Sequence, residues 1–341
     1  MILYLFLFII IFSFIGTYCI EKVFLKYNFF IDHPNTRSSH IEAKPTAGGL
    51  AIIFSFFLFI LISKYIYMVE TNEFFILFIA LLPIIIIGLI DDYNEINIFI
   101  RLLVQFFSAS LIIYFFQIHN NIFGVSLYSQ SSFIIITFSI ILSVWLMNLF
   151  NFMDGIDGYA ASECIIVSAF AALIAYMNDS SSLVFIYLLG LSLSNIGFLV
   201  RNWYPAKIFM GDTGSVSLGC ILAFFIFYSA SESIISIYTW LVLLSVFISD
   251  ATYTLFVRIV TKKNISKPHL THGFHILTKI KNSHLYTVKA MIVINFFWVL
   301  PLSVLSNIFM DYHIIIAFVA YLPLLVYLIK IGAGLENYRT T

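Results

Sequence analysis

Apolar residues fall along the chain in long blocks separated by short polar connections, and a helix crossing a hydrocarbon core needs about 20 of them. On that criterion the sequence predicts eleven membrane-spanning helices, at 1–20, 46–67, 74–90, 99–116, 132–149, 160–177, 182–200, 215–230, 237–258, 288–308 and 313–330. No fixed-period repeat and no low-complexity linker interrupts them, so 1–341 reads as one integral domain of the all-α class, a polytopic helical bundle. The first block lacks a basic n-region and a small-residue cleavage pattern, and Lys22 and Lys26 follow it. That reads as a retained helix rather than a signal peptide.

The polar connections sort by charge once they are alternated between the two sides of a membrane. One side receives Lys22, Lys26, Arg37, Lys44, Arg101, Arg201, Lys207, the run from Arg258 to Lys289, Lys330 and Arg339; only Lys64 falls near the other. By the positive-inside rule the basic side is cytoplasmic, the N-terminus outside and the C-terminus inside. The opposite connections are short, carry Glu70, Glu73, Asp179, Glu232 and Asp311, and offer no external binding domain.

Composition agrees. The chain is 62% hydrophobic with 38 Phe and only 10% charged, against about 25% charged in an ordinary soluble domain, which excludes a soluble globule. The zero formal net charge conceals the one-sided placement of the cations. Cys19, Cys164 and Cys220 lie in apolar stretches without pairing or metal-ligand spacing, so neither a disulfide framework nor a zinc site is indicated.

Against this apolar background a few polar clusters need an account. Asp91 and Asp92 end the third span, with Glu95 one turn on. Adjacent carboxylates at a membrane boundary call for a cation, a shared proton or donors, unless they simply begin a solvated loop. In the next cytoplasmic connection Asn148, Asn151, Asp154 and Asp157 recur every third position, with Gly155 and Gly158 between. Such a row on a helix surface converges on a ligand, or else glues helices together. Asp212, between Gly211 and Thr213-Gly214-Ser215 at the start of a span, offers a carboxylate for a metal and helix-terminal amides for phosphate, beyond what an N-cap alone needs.

A long cytoplasmic loop at about 259–287 mixes lysines with His269, His272, His275 and His284. This suits a pyrophosphate, although positive-inside charge and anionic lipid also explain the lysines. Asp250, inside the ninth span, either stabilises a helix break or takes part in chemistry, and Arg101 with Gln105 either meets phosphate or snorkels. Acidic clusters and a basic loop on one face suggest a Mg-dependent site for a soluble phosphate ester, with a lipid as second substrate. Nothing points to nucleic acid.

The strings DHPNTRSSH (Asp32 to His40), KPTAGGLAI (Lys44 to Ile52), LIDDYNEI (Leu89 to Ile96), NLFNFMDGIDGYA (Asn148 to Ala160), FMGDTGS (Phe209 to Ser215) and KPHLTHGFH (Lys267 to His275) resemble the bacterial polyprenyl-phosphate N-acetylhexosamine-1-phosphate transferases. That group, glycosyltransferase family 4, includes the phospho-N-acetylmuramoyl-pentapeptide transferase and the undecaprenyl-phosphate N-acetylglucosaminyl-1-phosphate transferase. The resemblance implies a multi-pass protein of the bacterial inner membrane. Its reaction would carry a sugar 1-phosphate from a UDP-N-acetylhexosamine to undecaprenyl phosphate, releasing UMP and initiating an O-antigen, capsule or wall polymer. It further implies catalytic roles for Asp91, Asp92 and Asp212, and Mg²⁺, or Mn²⁺ in its place, on Asp212 and Asp154. Substrate contacts are implied for Lys44, Asn151, Asp154, Asp157, Phe209 (stacked on uracil), His269 and His272. Membrane lipid as a partner and a homodimer are compatible with it. A single displacement and an aspartyl-phosphate intermediate both stay open.

His269-Leu-Thr-His272-Gly-Phe-His275 departs from the triple-His run of the peptidoglycan branch and from the His-x-His-His ending of the N-acetylglucosamine branch. It looks closer to O-antigen or capsule initiating members that use other N-acetylated amino sugars. Two other classes compete. An ion-coupled transporter would place its carboxylates near the bilayer midplane between inverted repeats. A membrane prenyltransferase would need a second Asp-rich motif spaced like Asp91-Asp92-x-x-Glu95.

Overall fold

The computed structural model describes residues 2–34, 42–67, 72–120, 130–264 and 269–336. Arg37, Glu70, Lys267, Arg339 and the Asn35–His40 part of the first motif lie outside them. The described chain is helical except for one two-residue antiparallel ladder. The helices are α1 (Ile2–Tyr27), α2 (Gly49–Tyr67), α3 (Asn72–Tyr93), α4 (Ile98–Asn120), α5 (Gln130–Met153), α6 (Tyr159–Asn178), α7 (Leu183–Asn202) and α8 (Gly211–Ser231), followed by α9 (Ile237–Leu243), α10 (Ser245–Val260), α11 (Gly273–Lys281), α12 (His284–Ile294), α13 (Leu300–Ile308) and α14 (His313–Ile331). The ladder pairs β1 (Ile31–Asp32) with β2 (Lys44–Pro45), Asp32 opposite Lys44.

Among the described residues ten helical segments are long and apolar enough to cross a membrane, and eleven if α9 and α10 are counted as one span bent by 77°. The eleven expected spans therefore all have a helical counterpart, with two corrections. The ninth is broken at Leu244, where α9 stops and α10 restarts in a new direction. The tenth begins at His284 and passes through a π-helical turn, Asn295–Val299, before α13. The loop expected at 259–287 is also partly structured, because α11 occupies its centre.

Helix α8 is the axis of the bundle, buried almost along its whole length and packed by α2, α3, α4 and α5. Its sequence explains the shape. The first half carries Gly211, Gly214, Ser215, Ser217, Gly219 and Cys220, whose small side chains admit neighbouring backbones, the usual means of close helix packing in lipid. At Gly88 of α3 a Cβ would lie 2.6 Å from Thr213 Cα, and at Gly219 one would lie 2.6 Å from the Leu146 carbonyl oxygen. The second half is bulky: Phe224, Phe225 and Tyr228 interlock with Phe74 and Phe116, whose ring centroids lie 5.3–6.3 Å from theirs. Helices α3, α4 and α5 therefore close tightly around α8 at its Asp212 end.

Helix α1 shows how the rim is built. Leu3, Leu7, Ile11 and Ile15 are exposed on one side, as lipid-facing positions are, while Leu5, Ile9, Ser13 and Thr17 are buried on the other. The Ser13 hydroxyl donates to the Ser194 carbonyl of α7 at 2.6 Å, and Glu21 accepts from Arg201 Nε and Nη2, both at 2.7 Å. That paired contact fixes the end of α1 from which the β1–β2 ladder departs.

Candidate active site

Asp91, Asp92, Arg101, Asn151 and Asp154 gather around Asp212 at the N-terminal end of α8. Four devices hold the site there. The first is Asp92. Its Oδ1 accepts from the Asp212 amide at 2.8 Å, and its Oδ2 accepts from the Thr213 amide at 3.1 Å and the Thr213 hydroxyl at 2.6 Å. Asp92, at the end of α3, is thus the N-terminal cap of α8. Gly211 makes room for it: the backbone there is left-handed, φ 76°, and a Cβ would lie 2.6 Å from Asp92 Oδ2.

Arg101 is the second device. Its Nη1 bridges two carboxylates, Asp91 Oδ2 and, at 3.0 Å, Asp212 Oδ2. Asp91 Oδ1 also accepts from the Ile96 amide at 2.7 Å, so the connection from α3 to α4 wraps around this side chain. The sequence left Arg101 between phosphate binding and snorkelling; its resident role is as counter-ion to the two aspartates.

Third is the end of α5. Asn151 Nδ2 donates to Asp212 Oδ1 at 2.8 Å, so the two oxygens of Asp212 face different neighbours, Asn151 on one and Arg101 on the other. The expected polar row does not converge as a whole. Asn148 turns to Gln105 Oε1 at 2.6 Å, and helix α5 stops at Met153, which ends the i,i+3 register. Asp157 is buried and accepts from the Ala206 amide at 2.9 Å, with His284 Nδ1 3.8 Å from its other oxygen. Asp154 stays with Asp212 and Asp92, and its carboxylate has no hydrogen-bond or ion-pair partner among the described residues. Burial and the carboxylates of Asp212, Asp92 and Asp157 push the Asp154 carboxyl well above its ordinary range.

The fourth device is the ladder strand β2. The Phe209 amide donates to the Pro45 carbonyl at 2.8 Å, and the Gly48 amide to the Phe209 carbonyl at 2.9 Å. These bonds set Lys44 Nζ 5.2 Å from the centroid of the half-buried Phe209 ring.

The histidine segment flanks the end of α5. The His272 ring stacks with Phe152 at 6.2 Å and with His269 at 4.9 Å. His275 packs against Gly155, where a Cβ would lie 2.9 Å from its Nε2. Burial, with the neighbouring His272, pushes the His275 imidazole down to about 3, and burial, with His272 and Arg258, pushes His269 down to about 4. Asp250 does not serve the helix break, which lies at Leu244; it caps α11, accepting from the Gly273 amide at 2.7 Å and the Phe274 amide at 2.9 Å.

Among the described residues no three His, Cys, Asp or Glu side chains form a metal cage. The set nevertheless fits a hard divalent cation completed by substrate phosphates: Asp154 has no donor and stands among other carboxylates, and such an ion is bound through only one or two carboxylates in phosphate-handling sites.

The profile of glycosyl transferase family 4 matches residues 74–230, which run from α3 to the end of α8 and include Asp91, Asp92, Arg101, Asn151, Asp154 and Asp212. A probable undecaprenyl-phosphate N-acetylglucosaminyl 1-phosphate transferase of Bacillus subtilis is 31% identical over 283 residues, covering 81% of this chain and 77% of the relative. The chain belongs to glycosyl transferase family 4. An undecaprenyl-phosphate alpha-N-acetylglucosaminyl 1-phosphate transferase of Thermotoga maritima is 30% identical, with 76% of each chain covered. A phospho-N-acetylmuramoyl-pentapeptide-transferase of Borreliella burgdorferi is 28% identical, covering 69% of this chain and 73% of the relative. The protein is thus a membrane transferase of the polyprenyl-phosphate N-acetylhexosamine-1-phosphate group, and the transporter and prenyltransferase readings fall away.

Two buried acids escaped the sequence reading, Glu21, paired to Arg201, and Glu163. Glu163, fully buried in α6, accepts from Asn295 Nδ2 at 2.7 Å, and Asn295 opens the π-helical turn. A single Glu inside an apolar run of α6 is its only sequence signal.

Proposed function

We propose that this member of the family transfers a sugar 1-phosphate from a UDP-N-acetylhexosamine to undecaprenyl phosphate at the cytoplasmic face of the bacterial plasma membrane. UMP is released and a lipid-linked envelope glycan, an O-antigen, capsule or wall polymer, is begun. The observation that carries this reading is the two-sided environment of Asp212, with Arg101, itself paired to Asp91, at Oδ2 and Asn151 at Oδ1. Two phosphate substrates, one on each side, would meet at that carboxylate.

On the donor side, Lys44 and the Phe209 ring form a cation–π platform for a uracil base, and Asn151, Asp154 and the His269–His272 stack surround the diphosphate. On the acceptor side, the Arg101 guanidinium neutralises the lipid phosphate and Asp91 takes its proton. An acceptor oxygen attacks the β-phosphorus, a new P–O–P bond forms, and the bridging bond to the α-phosphate breaks with its electron pair leaving on UMP. Asp154 and Asp212 are the carboxylates that would hold Mg²⁺, or Mn²⁺, which when bound neutralises charge on the diphosphate. Asp92 contributes through α8, since its oxygens are committed to the Asp212 and Thr213 amides. Asp157 contributes by holding the backbone at Ala206, three residues before Phe209.

The reading is tested by presenting the purified protein with undecaprenyl phosphate, Mg²⁺ and radiolabelled UDP-N-acetylglucosamine, UDP-N-acetylfucosamine, UDP-N-acetylquinovosamine and a UDP-bacillosamine derivative. Lipid-extractable label with at least one donor is expected; none with any of them overturns the reading.

A further inference from the structure

A carboxylate inside a membrane-spanning helix is costly and persists where it is fully paired. Asp250 of α10 is paired unusually well. Its Oδ1 accepts from the Gly273 amide at 2.7 Å and the Thr254 hydroxyl at 3.1 Å, its Oδ2 accepts from the Phe274 amide at 2.9 Å, and His272 Nδ1 stands 3.4 Å from Oδ1. Helix α11 has no side-chain cap of its own, because the residue at its N-cap is His272. One side chain from another helix therefore sets both the first turn of α11 and the histidine at its head.

That histidine is the link to the site. Its ring stacks with that of Phe152, which lies in the chain between Asn151 and Asp154 of the Asp212 cluster, and with that of His269. The rest of the segment is tied from the same helix: Arg258 of α10 donates to the Asn264 carbonyl at 2.7 Å and to the Thr271 hydroxyl at 3.4 Å. The turn after α14 adds a third tie, the Gly334 amide donating to the Thr271 carbonyl at 2.8 Å. A neutral cap would satisfy two amides; a carboxylate 3.4 Å from an imidazole nitrogen that has no hydrogen-bond partner of its own among the described residues adds an electrostatic tie to that ring.

We propose that Asp250 is a positioning residue for the nucleotide-sugar donor, acting through His272: it holds the imidazole against Phe152 so that the His269–His272 stack meets the donor's phosphates. This rests on the donor reading above. The test is binding of UDP, with Mg²⁺ present, to the full detergent-purified chain by calorimetry, for the wild type, Asp250→Asn, His272→Gln and the double variant. Each single change is expected to weaken UDP binding about tenfold, the scale of one charge-assisted bond. The double variant is expected to bind no more weakly than the weaker single, because residues acting as one unit are not additive. Multiplied losses in the double variant, or wild-type affinity in Asp250→Asn, overturn the proposal. Asp250→Glu, which keeps the charge but displaces it, serves in the same cycle if the asparagine variant does not fold. A wild-type protein that binds no UDP defeats the donor reading, and this proposal with it.

Discussion

The carboxylate of Asp92 accepts the backbone amide of Asp212 at 2.8 Å, so a residue in the last turn of α3 caps the helix on which the central aspartate of the site is carried. Position and chemistry of Asp212 are thereby tied to a neighbour 120 residues away in the chain. An Asp92→Ala variant leaves the Asp212 and Thr213 amides and the Thr213 hydroxyl without their acceptor, and is expected to lose about 2 kcal/mol or more of stability together with activity. Asp92→Asn, which keeps one acceptor oxygen, should lose less. Thermal unfolding in detergent checks the order; an alanine variant as stable as the wild type would remove the capping role.

Arg101 holds Asp91 and Asp212 together in a partly buried setting. Arg101→Gln leaves two close carboxylates without their cation, and breaking a buried ion pair in this way costs about 3 kcal/mol. The expected signature is partial recovery of stability in Arg101→Gln/Asp91→Asn, where one of the unpaired charges has also been removed, with activity lost in both. Unfolding measurements on the two variants decide this, and a double variant less stable than the single speaks against it.

Stability should fall on acidification through the histidine segment. The folded protein holds His275 near 3 and His269 near 4, below their ordinary value of 6.5, so the unfolded chain binds more protons between those limits. The stabilisation is complete above pH 6.5 and is lost as pH falls toward the folded values. His275→Gln, which cannot take up that proton, is expected to show a shallower decline of the unfolding temperature from pH 7.5 to about 5 than the wild type. Parallel declines would show that His275 carries none of the effect.

Much of this architecture could be read from the sequence, and the reason is the solvent. Apolar runs long enough to span a bilayer mark the helices, and in so apolar a chain Asp91, Asp154 and Asp212 stand out. What could not be read is non-local pairing. Asp92 looks like chemistry in the sequence, and Asp250 like chemistry or a helix break, but their capping partners lie on helices that only the fold brings near. Asp157 follows the same three-residue rhythm as Asn151 and Asp154, and the rhythm loses its meaning once α5 stops at Met153. The break at Leu244 carries no Pro or Gly to announce it, and Glu163 hides in an apolar run because its partner, Asn295, is on a different span.

That last pair makes a prediction of its own. Glu163 Oε1 and Asn295 Oδ1 are both buried without a partner among the described residues. Glu163→Gln keeps an acceptor for Asn295 Nδ2 and replaces the orphaned Glu163 oxygen by a donor for Asn295 Oδ1, so it should fold and turn over like the wild type. Glu163→Ala strands Asn295 beside the π-helical turn and should cost about 1–3 kcal/mol, the penalty for an unsatisfied buried polar group. A glutamine variant as damaged as the alanine one would mean that the carboxylate itself is needed.

The central claim, transfer of a sugar together with its phosphate, is met most directly by following the donor's β-phosphate. With UDP-N-acetylhexosamine labelled at that atom, undecaprenyl phosphate and Mg²⁺, label is expected in the lipid fraction, with one UMP released for each label transferred and a loss of at least about a hundredfold in Asp212→Asn. Label that stays in a soluble UDP product while the sugar moves to lipid, or an Asp212→Asn variant with wild-type transfer, would contradict it.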